Sequence, residues 1–254
     1  MRSTPALVLA SLPFIFACGA KGPAAKSPEP SAQNSSADSD SEAAPGKTPA
    51  AGDDANKCTG FEIPDLLAIL SQTSCELPDG SPPPKERDLK DVLDVSVSVD
   101  PHVAPGATAK VRVVYKNKGK TDLPLDFTVD PEPRFAFKLY TLKGKRADKP
   151  AGDEPALPPE LANATAPDQK VARVIIAPNG TATTTLSWDA VRYKWASKEK
   201  AKGAAPGHGY PREPAGPLAK GKYVLRVVTS LVGVFEGVDH EISQPRTEVQ
   251  IGGG

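Results

Sequence analysis

The sequence predicts a mainly β protein, an antiparallel two-sheet sandwich of about eight short strands over residues 91–254. From Val92 onward, apolar residues recur at every second position, the period of a strand with one buried face. Turn-forming residues, rather than long helical stretches, separate most of these runs. The 28 Pro, 21 Gly and 6% aromatic residues fit one folded domain joined to low-complexity stretches. Basic and acidic residues balance at 31 each, so no net charge steers the chain to nucleic acid. Protein, carbohydrate and small-molecule partners stay open.

The elements follow in chain order. Residues 1–17 carry one charge, Arg2, and then an apolar stretch from Ala6 to Ala17 interrupted by Ser11 and Pro13. The stretch is shorter than the roughly 20 apolar residues of a membrane span and suits the core of an export signal. It ends in Ile15-Phe16-Ala17-Cys18, which resembles the lipobox of bacterial lipoproteins, with Phe16 where that family usually has a small residue. The resemblance implies cleavage before Cys18, a thioether-linked diacylglycerol on Cys18, and an acylated (palmitate-type) amino terminus. Gly19 after the cysteine implies, by family sorting habits, the outer membrane, facing the periplasm or the surface. The alternative is an ordinary secretory signal with an incidental cysteine.

Residues 18–57 form the expected lipidated terminus and disordered linker. The run SPEPSAQNSSADSDSEAAPGKTPAAGDDAN has no Val, Ile, Leu or aromatic residue. It cannot bury enough apolar area to offset its ordering entropy. With Cys18 lipidated and the compartment oxidising, Cys58 and Cys75 remain to form a disulfide. The enclosed FEIPDLLAILSQTS reads as a short amphipathic helix, with Pro64 in its first turn, Asp65 at its positive end and Leu66, Leu67, Ile69 and Leu70 on its apolar face. Residues 58–90 are thus expected to be a stapled helical segment and connector, either packed on the main domain or independent of it.

Within the main domain, VLDVSVSVD, KVRVVYK, LPLDFTV and RFAFKLY each read as strands. VARVIIA and TATTTLSW read as two more, joined as a hairpin through Pro178-Asn179-Gly180. KYVLRVVTSLV and TEVQI complete the set. Val99-Asp100-Pro101 through Pro105-Gly106 and then Val111-Arg112-Val113 resemble the first two strands of bacterial immunoglobulin-like domains. Leu218-Ala219-Lys220-Gly221-Lys222-Tyr223-Val224-Leu225 resembles the start of the penultimate strand in Ig-like and fibronectin-type domains. That resemblance implies a tyrosine corner at Tyr223. The Gly-x-Tyr pattern with upstream Trp188 is also similar to the bacterial proteinase-inhibitor sandwich.

Two long insertions interrupt the strands, 142–170 and 189–220. The second holds Tyr193, Trp195, His208 and Tyr210 among basic residues. Trp188, Val191 and Trp195 fall at helical spacing, which suggests a short helix over one end of the sandwich. Two readings of the aromatics stay open, a recognition loop built on Tyr193, Trp195 and Tyr210, or a plug in which Trp188 and Trp195 complete the core.

No nucleotide, metalloprotease or hydrolase motif occurs. Asp100 with His102 and Asp239 with His240 are the nearest carboxylate–imidazole pairs, and exposed turns explain them better than catalysis. The expectation is a non-enzymatic, lipid-anchored envelope module acting by protein–protein contact. It needs no cofactor or metal, and its partners are a membrane reached through the lipid and an envelope protein. A proteinase-inhibitor-like module is the alternative, and a hydrolase is further off.

Overall fold

The computed structural model describes residues 58–129, 133–150, 152–163, 170–204, 208–236 and 240–253. Cys18, the leader and the linker lie outside the described residues, which all fall in the unit Pro49–Gly254. The chain enters through β1 (Thr59–Ile63), α1 (Leu66–Leu70) and a 3-10 turn, Thr73–Cys75. Next come β2 (Arg87–Asp88), β3 (Leu93–Val99), β4 (His102–Val103), β5 (Thr108–Asn117), β6 (Leu123–Val129) and β7 (Ala136–Thr141). After α2 (Pro159–Ala162) run β8 (Lys170–Asp189), β9 (Val191–Trp195), α3 (Lys198–Lys202) and β10 (Arg212–Pro217). β11 (Gly221–Val228), β12 (Leu231–Val232), β13 (Val234–Phe235) and β14 (Arg246–Ile251) finish the chain.

Two principal sheets share one core. The larger is six-stranded, in the order β12-β6-β8-β5-β3 with β1 added on β8, and the smaller is β4-β14-β11-β7. Alternation decides which side chains meet. β5 buries Ala109, Val111, Val113, Tyr115 and Asn117 and exposes the residues between them, except half-buried Val114. Opposite it, Leu139 of β7, Leu225 and Val227 of β11, and Val249 and Ile251 of β14 enter the same buried cluster. Tyr115 meets Phe127 edge-on at 5.5 Å, and Phe137 of the smaller sheet lies 6.4 Å from Trp188 of the larger. The expected count of about eight strands does not describe this division. The sheets take six and four strands, and two further two-stranded pairs, β9-β10 and β2-β13, stand beside them.

The expected hairpin at Pro178-Asn179-Gly180 is absent. β8 continues through these residues as one strand, pairing with β6 over its first half and β5 over its second. A two-residue type I′ turn requires positive φ at both central residues, whereas only Asn179, at 58°, has it. Gly180 serves a different purpose. A β-carbon there would stand 2.5 Å from the Phe61 carbonyl oxygen and 2.9 Å from that of Ala177. The missing side chain lets β1 run against β8, where its register jumps from Gly60↔Ile176 to Glu62↔Thr181. Asn117 braces the same bend. Its amide nitrogen donates to the carbonyls of Thr121 and Ile176 at 2.9 Å and of Ala177 at 3.1 Å, and its oxygen accepts from Gly119 N–H at 2.8 Å.

Residues 58–75 are integral to this core. The Cys58–Cys75 disulfide is present, with Cα atoms 5.7 Å apart. Ile63, Leu66, Leu70 and Cys75 join the main buried cluster. The short amphipathic helix expected over residues 61–74 is corrected in extent, because residues 59–63 form a parallel strand on β8 and the helix keeps only Leu66–Leu70. Asp65 starts it as N-cap, accepting from Ala68 N–H at 3.1 Å. Pro64 precedes the cap, since the backbone upstream is committed to β8.

Sheet switching after β3 has a local cause. Asp100 accepts the His102 backbone N–H at 2.9 Å, turning the chain away from β5, the partner of β3, so that β4 pairs in parallel with β14. The Asp100 carboxylate is therefore engaged by backbone, not by an imidazole.

Candidate recognition surface

The described residues of the 189–220 insertion form an arm of two strands and a short helix. Val191-Arg192-Tyr193-Lys194-Trp195 alternates apolar and basic residues, the period of a strand, and forms β9 rather than the helix that the 188/191/195 spacing suggested. β10 pairs back on it with Arg212 opposite Trp195 and Glu213 opposite Lys194. Between the strands, α3 is capped by Ser197, which accepts from Lys200 N–H at 3.4 Å.

The arm's root is fixed by backbone. Ala190, fully buried, donates to Ala107 O at 3.0 Å and accepts from Gly106 N–H and Leu218 N–H at 2.9 Å. Gly106 sits at φ +77°, a conformation glycine adopts without strain, with Pro217 packed over it.

Two of the three aromatics singled out in the sequence are packed against each other. Trp195 and Tyr210 meet edge-on at 6.0 Å, and the Tyr210 hydroxyl donates to Ala196 O at 3.3 Å. Tyr210 is buried, which corrects its expected place on a binding surface. Ala196 and Ala201 of the same arm are buried as well. Tyr193 stays half-buried with the Arg212 guanidinium 5.5 Å above its ring. Burial raises its phenol pKa, and the Arg212 charge opposes that shift.

The arm's outer surface is basic. Arg192, Lys194, Lys198, Lys200, Lys202 and Arg212 are all exposed. Lys194, at 3.0 Å, and Lys200 both pair with Glu213. Hydrogen bonds from Lys200 and then Lys194 hold the Glu213 carboxyl below its ordinary range.

Elsewhere, Trp188 is buried in the sandwich and belongs to the main core. The Tyr223 hydroxyl donates to Ala219 O at 2.8 Å, tying the start of β11 to the preceding turn. His240 Nδ1 lies 3.5 Å from Glu236. Glu236 itself accepts from Ile242 N–H at 2.7 Å and Ser243 N–H at 2.6 Å, so its carboxylate organises a loop. Beside it a groove of about 700 Å³ runs along the β3 edge, lined by residues including Leu93, Asp94, Phe235 and Arg246. A second cleft, about 480 Å³, lies between α1, Phe135, Phe137 and Leu186. Among the described residues, no group of three His, Cys, Asp or Glu side chains is placed to hold a metal ion. No helix among them is long and apolar enough to cross a membrane.

The glutamate and aromatic packing of the arm left weak traces in the sequence. The alternation in VRYKW was available, but the aromatic spacing around it also suited a helix. The pairing of Lys194 with Glu213 depends on a register that no local pattern encodes.

No protein-family model matches the chain, and no curated protein matches it. Among solved structures, it is similar to the CARDB domain of a Pyrococcus furiosus protein in complex with di-metal ions. That match has 12% identity over 66% of this chain and 94% of the other, with a TM-score of 0.29. A β-glucosidase from Listeria innocua in complex with glucose matches at 13% identity over 63% of this chain and 16% of that enzyme, with a TM-score of 0.29. A β-glucosidase from Erythrobacter marinus matches at 6% identity over 63% and 15%, also at 0.29. These likenesses transfer neither a ligand nor an activity to this chain.

Proposed function

We propose that this chain is a lipid-anchored, extracytoplasmic binding module of the bacterial cell envelope that works by protein–protein contact rather than catalysis. The observation that carries the reading is the Cys58–Cys75 disulfide. Such bonds persist in oxidising compartments, which supports export. The bond also occupies two of the chain's three cysteines and leaves Cys18, at the end of the apolar leader, for diacylglycerol.

The topology supports an immunoglobulin-like reading of the sandwich. The orders β3-β5-β8 and β7-β11-β14 correspond to the A-B-E and C-F-G strands of that fold. One strand departs, because β6 lies next to β8 yet comes before β7 in the chain. A rigid two-sheet scaffold bearing a rooted arm suits recognition, since it presents side chains without paying for their ordering at each encounter.

Metabolic labelling with an alkyne fatty acid in a bacterial host tests the anchor. The wild-type chain is expected to take the label and Cys18→Ser to lose it. Equal labelling of both would refute the anchor.

A further inference from the structure

We infer that the outer face of the β4-β14-β11-β7 sheet binds an acidic, extended peptide segment of a partner protein. The first observation is register. Arg226 of β11 stands directly opposite Lys138 of β7 on one side and Arg246 of β14 on the other. Leu139, Leu225 and Val227, their neighbours along the chain, are buried in the core, and Val249 of β14 is buried with them. Alternation therefore turns all three cations to the outer face. Neighbouring strands lie about 4.8 Å apart, so the row crosses about 10 Å of sheet.

The second observation is that the protein leaves this row without counter-charge. Like charges directly opposed destabilise a sheet. Lys138, Arg226 and Arg246 take part in no ion pair among the described residues. Glu248, two positions from Arg246 on the same face, pairs with none of them. Asp148 is held by Arg146 through two hydrogen bonds. The larger sheet is built differently, since exposed Lys110, Arg112 and Lys116 stand opposite Ser187, Ser98 and Asp94.

The third observation is how Arg226 is held. The Arg226 and Arg146 guanidinium groups lie 5.4 and 5.7 Å from the Tyr140 ring centroid. The Arg226 Nε is buried and has no hydrogen-bond partner among the described residues. A guanidinium seated on a ring and partly withdrawn from water attracts a carboxylate more strongly than a fully solvated one.

The choice of a peptide rests on the reading of the chain as a protein-binding module, whose partner it describes chemically. Of the three cations, only Arg246 lines either of the clefts described above, so the row offers an open face rather than a pocket for a small anion. Alternate side chains of an extended peptide recur about every 6.7 Å, which sets two carboxylates within the row. Half-buried Tyr140 and Val224, directly opposed in the next row, offer apolar surface that a phosphate polymer cannot use.

The test uses the full-length chain in nonionic detergent micelles, with fluorescent peptides read by anisotropy in low salt. One peptide alternates Asp with Ser, and its control carries Asn for Asp. The acidic peptide is expected to bind at least about 10-fold tighter than the control and to lose a similar factor in about 0.5 M NaCl. Lys138→Gln/Arg226→Gln/Arg246→Gln should lose at least about 10-fold in affinity and keep its melting temperature, because it relieves opposed like charges. Arg246→Gln alone, at an exposed position, should weaken binding several-fold. Lys110→Gln/Arg112→Gln/Lys116→Gln removes the same charge from the other sheet and should bind as wild type. Equal binding of the two peptides, equal loss in the two triple variants, or wild-type binding by Arg246→Gln would overturn the proposal. So would binding of inorganic polyphosphate without binding of the acidic peptide. Capture of an envelope protein by the Lys138/Arg226/Arg246 variant as well as by wild type would overturn it too, while leaving the protein-contact reading intact.

Discussion

The side-chain amide of Asn117 donates to the carbonyl of Ile176 at 2.9 Å, across the point where β8 changes partners from β6 to β5. Asn117 is fully buried, and its side chain also engages Gly119, Thr121 and Ala177. A polar side chain at an inward strand position is costly unless its hydrogen bonds are met, and here they are. Asn117→Leu strands the Ile176 carbonyl. Chemical denaturation should show a loss of about 2–3 kcal/mol.

Gly180 makes the complementary prediction. Gly180→Ala forces a β-carbon into the Phe61 and Ala177 carbonyls, which are backbone atoms with little freedom to yield. The expected cost is about 1–3 kcal/mol. Asn179→Gly, one residue earlier at positive φ, should change the melting temperature little and serves as the control.

Much of the β-domain was legible because each strand buries one face. Val111, Val113 and Tyr115 announce β5 by alternation alone. β1 was not legible, because it is held by backbone pairing with β8 and its side chains do not alternate in burial. The Asn-Gly pair misled because a local turn signal cannot reveal that the two halves of β8 have different neighbours. In the arm, Trp195 and Tyr210 are 15 positions apart and bury one another, a long-range contact that aromatic content alone could not distinguish from an exposed pair.

The Trp195–Tyr210 contact predicts how the arm fails. Trp195→Ala removes the edge-on partner of Tyr210 and should loosen α3, with tryptic cleavage near Lys198, Lys200 and Lys202 rising several-fold. Trp195→Phe should restore most of the protection, because the indole Nε1 makes no hydrogen bond among the described residues.

Glu213 sets a pH window for the arm. Its carboxyl is held below the ordinary carboxylate range by Lys200 and Lys194, so it contributes stability above the unfolded carboxyl range. That contribution is lost as pH falls through the lowered value. A carbon-detected NMR titration of the Glu213 carboxyl should give a midpoint below 4.5. In Glu213→Gln, the acid-dependent change at Lys194 and Lys200 should vanish.

Removing the disulfide by Cys58→Ser/Cys75→Ser should cost about 3 kcal/mol for a loop of this size. Leu66 and Leu70 belong to the shared core, so the loss should appear in one cooperative unfolding transition rather than in a separate early melt of residues 58–75.

The account turns on the residue at the end of the leader. Mass spectrometry of the amino-terminal peptide, from protein extracted from bacterial membranes, tests it most directly. The reading predicts a mature chain that begins at Cys18 and carries a thioether diacylglycerol with an acylated amine. A chain that begins at another residue, or one with a free Cys18 thiol, would contradict it.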